Sequence, residues 1–454
     1  MVKLERTTFE ASRAAEYFDA RQLSALTGVP REEFLSVCLK ELADNALDAC
    51  ETVGIAPEVG VKVEYEEGGL CRLAVSDNGP GMPSELIDKI LNYNVRVSDK
   101  MVYRSPTRGA QGNALKTIIG IPYSLGSHEP LVITARGVRH TIRPWVDPGG
   151  HVRVSHAKAE KNCAGNPGTR VEVALTAEEA RERQDFDPRH WVRSFAAFNP
   201  HAAFSYRAKI DSSEGTRIYK STREGPFKKY VPSEPTSPHW YSPESLKVLV
   251  FSHIAYARNG GRDLPLGEFV RQFAGLTSTK KAKAVSSKLP GFTHLSDFEE
   301  DEDAVAELLA RMQDSSRPPK ASALGHVGEE HFRIFFDTVY EVKEFKYVRR
   351  SGTLPSGLPF TFEFALATLD EPGHLYCGIN FSPTLGDPLE GTTLSGPEFR
   401  AHGIQGFLSQ GYALPKTDRA WYRTPASVAV AAHIITPAPI FLDRGKTRLN
   451  MKGA

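Results

Sequence analysis

Residues 41–49 read Glu-Leu-Ala-Asp-Asn-Ala-Leu-Asp-Ala, and residues 77–81 read Asp-Asn-Gly-Pro-Gly. Glu41 and Asn45 stand four apart, so a helix places them on one face. Leu35, Cys38, Leu39 and Leu42 give the same helix an apolar stripe for a core. The polar pair then points out of the packed layer. The second stretch follows a short apolar strand, Leu73-Ala74-Val75, and breaks into two glycines. An acid at a strand end beside a Gly-x-Gly turn lets backbone and ligand approach closely.

Two further stretches belong with these. Arg108-Gly109-Ala110-Gln111-Gly112-Asn113-Ala114-Leu115-Lys116 leads into an apolar run over residues 117–123. Glycines at a helix start expose backbone N–H groups to an anion, and the helix dipole adds to the attraction. Gly168-Thr169-Arg170-Val171-Glu172-Val173 is a small-residue turn entering an alternating strand. A lone glycine-rich turn is usually just a turn. All of these stretches in this order, with Glu and Asn on one helical face, make a strong joint signal.

The set resembles the Bergerat-fold (GHKL) ATPases: gyrase B, the heat-shock chaperone ATPases, sensor histidine kinases and MutL. The resemblance implies a helical Glu that activates water, an Asn that holds Mg²⁺ on the phosphates, and a strand-end Asp that takes the adenine amino group. On this chain those become Glu41, Asn45 and Asp77. Gly79 and Gly81 give the backbone room, Gly109 and Gly112 form the phosphate lid, and Thr169 is a second adenine-side contact. Asp48, Met82, Gln111, Asn113 and Ala114 are implied on the nucleotide side as well. The cofactors implied are ATP and Mg²⁺. Where the family's lid often ends in glycine, this chain has Ala114. The lid then differs in shape, or Ala114 already lies inside the helix. Lys116 is either a phosphate contact or, by the blander expectation, a surface lysine. The presence of Glu41 argues against a histidine kinase, which needs no water-activating carboxylate.

Bulk properties narrow the class. A length of 454 residues implies two to four domains. The net charge of +1 provides no global field for nucleic acid, so any DNA contact must be a local patch. The five cysteines (38, 50, 71, 163, 377) contain no Cys-x-x-Cys pair, which argues against a zinc site or a disulfide framework. Cys38, Cys50 and Cys71 are expected in the core. No signal peptide and no long apolar run is evident, so a cytoplasmic location is expected.

Along the chain, residues 1–230 suit an ATPase layer sandwich with an N-terminal arm carrying Phe9, Tyr17 and Phe18. Strands are expected around 61–65, 70–76, 131–135, 151–156 and 169–175. The Ser-, Pro- and Gly-rich stretch 210–242 reads as a domain junction. Residues 243–328 keep helical spacing, as in Leu246, Leu249, Val250 and Ile254, and include a basic run with Lys280, Lys281, Lys283 and Lys288. Residues 329–454 turn β-rich, with strands expected around 332–336, 360–367, 375–381 and 427–435.

This order is similar to the B subunit of topoisomerase VI, a type IIB topoisomerase. Shared phrases include residues 41–51, 77–83 and 108–112, Gly328-Glu329-Glu330, Gly357-Leu358-Pro359-Phe360 and residues 380–388. The resemblance implies an α/β (α+β) chain with a Bergerat-fold ATPase domain at 1–230. A helix-two-turn-helix domain at 231–328 and a transducer of ribosomal S5 domain 2 type at 329–454 would follow. Lys446 becomes the transducer lysine that reaches the γ-phosphate. An ATP-gated homodimer clamping duplex DNA is implied, with a separate A-subunit-like or nuclease-like protein supplying cleavage. The lysine run would touch DNA. The chain ends eight residues after Lys446, so the family's long stalk is expected to be missing. A MutL- or MORC-like clamp without strand passage is the alternative, and a chaperone-type ATPase a third.

Overall fold

The computed structural model describes residues 13–66, 70–93, 102–108, 114–160, 168–176, 187–210, 213–225, 227–354, 356–390, 392–396, 399–404, 424, 427–442 and 448–450. After a 3-10 turn at Arg13–Phe18, helix α1 (Ala20–Thr27) starts on the Asp19 side chain, which accepts from the amides of Arg21 and Gln22. Helix α2 (Phe34–Thr52) buries Leu35, Cys38, Leu39 and Leu42, as its spacing predicts. Then come β1 (Glu58–Glu66), β2 (Leu70–Ser76), α3 (Ser84–Ile90), α4 (Ala114–Ser124), β3 (Leu131–Ala135), β4 (Val138–Val146), β5 (Val152–Glu160), β6 (Thr169–Thr176), α5 (Pro188–Phe198), β7 (Ala203–Ile210) and β8 (Ser213–Tyr219).

The strands form one sheet in the order β5-β4-β3-β6-β2-β1-β7-β8. Its pairs are antiparallel except β1 with β7. Strand β1 alternates, burying Val59, Val61 and Val63. These join side chains of α2, α4 and α5 in the core under the sheet. A sheet with helices on one face and solvent on the other reads as this alternation. Ser213–Tyr219, expected as part of a junction, is instead the last strand of the sheet. Its Ser, Gly and Thr content misled because an edge strand with little to bury tolerates polar, small residues.

A second apolar core, drawn from residues 240–312 with Leu358, is built on α6 (Pro243–Arg258), α7 (Leu266–Val270), α8 (Thr279–Ser286) and α9 (Ala304–Asp314). Leu246, Leu249, Val250 and Ile254 are all buried there. Ser242 caps α6, accepting from the Ser245 amide.

A second sheet follows α10 (Glu329–Val339). It contains β9 (Glu344–Thr353), β10 (Pro359–Thr368), β11 (Leu375–Ile379), β12 (Ser382–Pro383) and β15 (Val428–Ile435), in the order β12-β11-β15-β10-β9. The hairpin of β13 (Thr393–Gly396) and β14 (Phe399–His402) lies between β12 and β15 in the chain. Residues 332–336 are helical, not the expected strand. The buried set His331, Phe332, Phe335 and Phe336 repeats at a helical interval, and aromatic content alone suggested a strand. Phe332, Phe335, Ala365, Tyr376 and Ala431 join Phe195 and Phe198 of α5 in one continuous apolar cluster. The second sheet is therefore packed onto the first layer rather than tethered to it. Among the described residues, no helix is long and apolar enough to cross a membrane.

Candidate nucleotide site

Asp77 leaves the end of β2 with its side chain turned back on the chain. Its Oδ1 accepts from the amides of Gly79 (2.8 Å) and Thr169 (3.1 Å). The Asp77 amide donates to the Thr169 carbonyl at 2.9 Å. Thr169 Oγ1 accepts from the Met82 amide at 3.1 Å, which fixes the far side of the turn. Two glycines make this possible. A Cβ on Gly168 would lie 1.8 Å from the Asp77 carbonyl oxygen, and Gly81 holds φ of +74°. Asp77 is buried, and burial pushes its carboxyl pKa up against the pull of the two amides. Its second oxygen, Oδ2, makes no hydrogen bond among the described residues. One oxygen is thus fixed by the backbone and the other is left to accept a proton donor such as an exocyclic amine.

The turn rests on α2. A Cβ on Gly79 would lie 3.3 Å from Cys50 Sγ and 3.4 Å from the Ala49 carbonyl carbon. Asn78 pins the same corner, accepting from Cys50 Sγ (3.2 Å) and the Glu58 amide (2.9 Å) and donating to the Ala56 carbonyl (3.0 Å). Ala49, Asn45 and Glu41 follow at intervals of four, so one face of α2 runs from the Asp77 turn to Glu41 over about 12 Å. Asn45 is exposed and Glu41 half-buried. Glu41 Oε1 meets Lys40 Nζ at 3.4 Å, and Lys40 Nζ meets Asp44 Oδ2 at 2.9 Å. Burial opposes the charge on Lys40, but Asp44 and Glu41 outweigh it and raise the lysine's pKa. Lys40 and Glu41 open on a cavity of about 610 Å³, walled also by Arg104, Arg108, Ser382 and Thr384. The helical module and the second sheet both reach this cavity.

Arg108 binds these parts together. Its guanidinium is buried and donates twice to Glu51, Nη1 to Oε2 at 2.8 Å and Nη2 to Oε1 at 3.0 Å. Nη1 also reaches Asp48 Oδ1 (3.2 Å), Nη2 reaches Asn199 Oδ1, and Nε reaches the Phe381 carbonyl (3.3 Å). Glu51 further accepts from His201 Nε2 (2.8 Å) and pairs with Lys229 Nζ (2.6 Å). Burial pushes the Glu51 pKa up, but Arg108 and Lys229 overcome this and hold it well below the carboxylate range. Burial lowers the Lys229 pKa to about 8. Phe381 sits with Asn380 in a two-residue turn between β11 and β12, both with positive φ (+65° and +51°). The turn is held by His433 Nε2, which accepts from the Phe381 amide at 3.0 Å. His433 Nδ1 in turn donates to Glu363 at 3.0 Å. Burial works against the Glu363 charge, yet His433 and the amides of Val327 and Gly328 bring its pKa down to about 2.

Residues 31–179, which contain Glu41, Asn45, Asp77 and Thr169, match the family described as histidine kinase-, DNA gyrase B-, and HSP90-like ATPase. Over these residues the chain is similar to the GHKL ATPases. Over a longer stretch it is similar to the B subunit of type 2 DNA topoisomerase 6. The Archaeoglobus fulgidus protein is 26% identical over 371 residues, covering 78% of this chain and 57% of that protein. The Methanosarcina barkeri protein is 24% identical over 379 residues, with coverage of 78% and 55%. The Natronomonas pharaonis protein is 29% identical over 188 residues, with coverage of 40% and 23%. The chain thus spans little more than half the length of these relatives, or less. Among solved structures, the 43K ATPase domain of Thermus thermophilus gyrase B aligns at 13% identity and TM-score 0.32, covering 91% of this chain and 78% of that one.

Within residues 31–179 the structure brings Glu41, Asn45, Asp77, Gly79, Gly81, Met82 and Thr169 to one corner and one helix face. Ala114 is the first residue of α4, as the missing glycine allowed. Asp48 turns the other way, to Arg108. Lys116 is not a surface lysine: it is buried, with Nζ donating to the Asn92 carbonyl at 2.5 Å and lying over the Tyr93 ring. Its neighbours Leu115 and Ile118 gave no hint, because a lysine stem packs like an apolar chain once its ammonium finds a carbonyl. Gly109, Gln111, Gly112, Asn113 and Lys446 lie outside the described residues, as does Phe9. Tyr17 and Phe18 pack on Tyr93 and, for Phe18, on Tyr123 of the same chain. Lys280, Lys281, Lys283 and Lys288 are exposed on the helical module. Lys40, Asp44, Glu51, Lys229 and Ser382 were missed. Of these, only Lys40 and Asp44 had a visible signal, an i,i+4 opposite-charge pair flanking Glu41.

Proposed function

We propose that this chain binds ATP with Mg²⁺ and hydrolyses it, and that nucleotide gates a homodimeric clamp on duplex DNA working with a separate DNA-cleaving protein. The observation carrying the nucleotide part is the half-satisfied Asp77 carboxylate in the turn that rests on α2, at one end of the helix face that carries Asn45 and Glu41. Asp77 Oδ2 would accept from the adenine amino group while Gly79 and Gly168 keep the backbone out of the base's way. Asn45, exposed between the two acids, would offer its side-chain oxygen to Mg²⁺, and the ion would neutralise phosphate charge. Glu41 would accept the proton of the attacking water, which requires a carboxylate within hydrogen-bond reach of it. Lys446 would meet the γ-phosphate from the C-terminal module, the transducer. The helical module at 231–328 would face DNA through Lys280, Lys281, Lys283 and Lys288, contacts that need only positive charge. The similarity to the topoisomerase 6 B subunit over 78% of the chain supports this wider part. Glu41→Ala removes the base but no binding group. It is expected to keep affinity for a non-hydrolysable ATP analogue, read by calorimetry, and to lose turnover. Hydrolysis at the parental rate would remove Glu41 from the mechanism.

A further inference from the structure

Glu41 has one side-chain partner among the described residues, the Lys40 ammonium at 3.4 Å. Lys40 is shared, standing closer to Asp44 Oδ2 at 2.9 Å. That same Oδ2 accepts a hydrogen bond from Ser382 Oγ at 2.7 Å. Ser382 begins β12 of the second sheet, immediately after the Asn380–Phe381 turn. The Asp44 side chain is buried, with its Oδ1 making no hydrogen bond and facing Arg108 Nε at 3.6 Å. An unbroken path thus runs from the second sheet to the acid that faces the cavity: Ser382, Asp44, Lys40, Glu41.

We propose that Lys40 is a positioning residue for Glu41, and that Ser382 sets its placement through Asp44, so that seating of the second sheet adjusts the general base. This rests on Glu41 being that base. A base needs an orienting partner of its own, and here the partner is an ammonium whose loyalty is divided between two carboxylates. The Ser382 hydroxyl satisfies part of Asp44. Without it, Asp44 Oδ2 keeps a single donor, and a buried carboxylate short of donors draws the ammonium closer. Lys40 then leaves Glu41, already the longer of its two contacts. Glu41 loses its orientation, and a displacement of about an ångström at a catalytic group slows chemistry without touching substrate binding. The hydrogen bonds that hold the adenine corner include no member of this path, so affinity and turnover separate.

The test is steady-state ATP hydrolysis by the full chain with Mg²⁺. Ser382→Ala is expected to lower kcat about threefold and Lys40→Met about tenfold, each with KM for ATP within about twofold of the parent. Ser382→Thr, which keeps the hydroxyl, is expected to restore kcat. The double variant is expected to be no slower than Lys40→Met alone, because residues on one path are not additive. Parental kcat in Ser382→Ala, failure of Ser382→Thr to rescue it, or losses that multiply in the double variant would each overturn the path. Should Lys40→Met not fold, the Ala and Thr variants of Ser382 decide alone. Glu41→Gln run alongside separates the two levels. If it hydrolyses ATP normally, the base assignment fails. If it is inactive while Ser382→Ala is unaffected, only the path fails.

Discussion

The corner around Asp77 and the seam around Arg108 are both polar and both buried, yet they are built in opposite ways. The corner uses one carboxylate, two backbone amides and glycines that leave no room for a side chain. Its charge is half satisfied. The seam balances Arg108, Lys229 and Lys40 against Glu51, Asp48 and Asp44, with Asn199 and a strained turn supplying further partners. Each of its charged groups has an opposite charge beside it inside the protein. A site that must take a ligand keeps an acceptor in reserve, whereas a joint that must hold two layers together spends its polar groups on itself.

Removing a charge from each region is the strongest way to break this contrast. Arg108→Met leaves Glu51 and Asp48 facing a buried apolar stem, and breaking a buried pair in this way costs about 3–5 kcal/mol. Chemical denaturation is expected to show that loss; a change below about 1 kcal/mol would mean the seam is not a joint. Asp77→Asn keeps the shape of the corner and exchanges an acceptor for a donor where the adenine amine would sit. The expected result is an ATP affinity lower by roughly 10- to 100-fold, with little change in denaturation midpoint. Equal affinity would place the base elsewhere.

The smallest expected effect lies in mild acid. Glu363, held at about 2, and Glu51, also held low, contribute stability that is full above their ordinary value of 4.5 and is lost as pH falls toward their folded values. Asp77 has the opposite sign. Its pKa is raised above the ordinary 3.8, so folding takes up a proton there and acid favours the folded state. Melting followed from about pH 6 to about pH 4 is therefore expected to fall, with a steeper fall in Asp77→Asn and a shallower one in Glu363→Gln. Identical slopes in all three proteins would show that these carboxylates do not govern the acid limb.

The two regions also differ in how much the amino-acid order discloses. The corner was legible because its demands are local: an acid at a strand end, Gly-x-Gly after it, and a second small-residue turn at Gly168. The polar face of α2 was legible for the same reason, through Glu41 and Asn45 at helical spacing over a stripe of Leu35, Cys38, Leu39 and Leu42. The seam was not. Arg108 looked like the entry to a glycine loop, and nothing near it in the chain named Glu51, Asn199 or Phe381 as partners. Lys116 and residues 332–336 failed similarly, since burial and helix were decided by what packs against them. Ser213–Tyr219 shows that composition is weakest at a sheet edge, where almost any polar residue is tolerated.

The turn at Asn380–Phe381 carries one more consequence, for the order in which the chain folds. Its carbonyl meets Arg108 across 273 residues, and Ser382 beside it meets Asp44 across 338. Contacts of such separation form late, because the loop they close must be ordered first. During synthesis α2 is complete long before β12 leaves the ribosome, and domains settle from the N-terminus onward. The nascent first layer must therefore carry Asp44 without Ser382 and Arg108 without Phe381, and the helix bearing Glu41 acquires its last polar partners only when the second sheet docks.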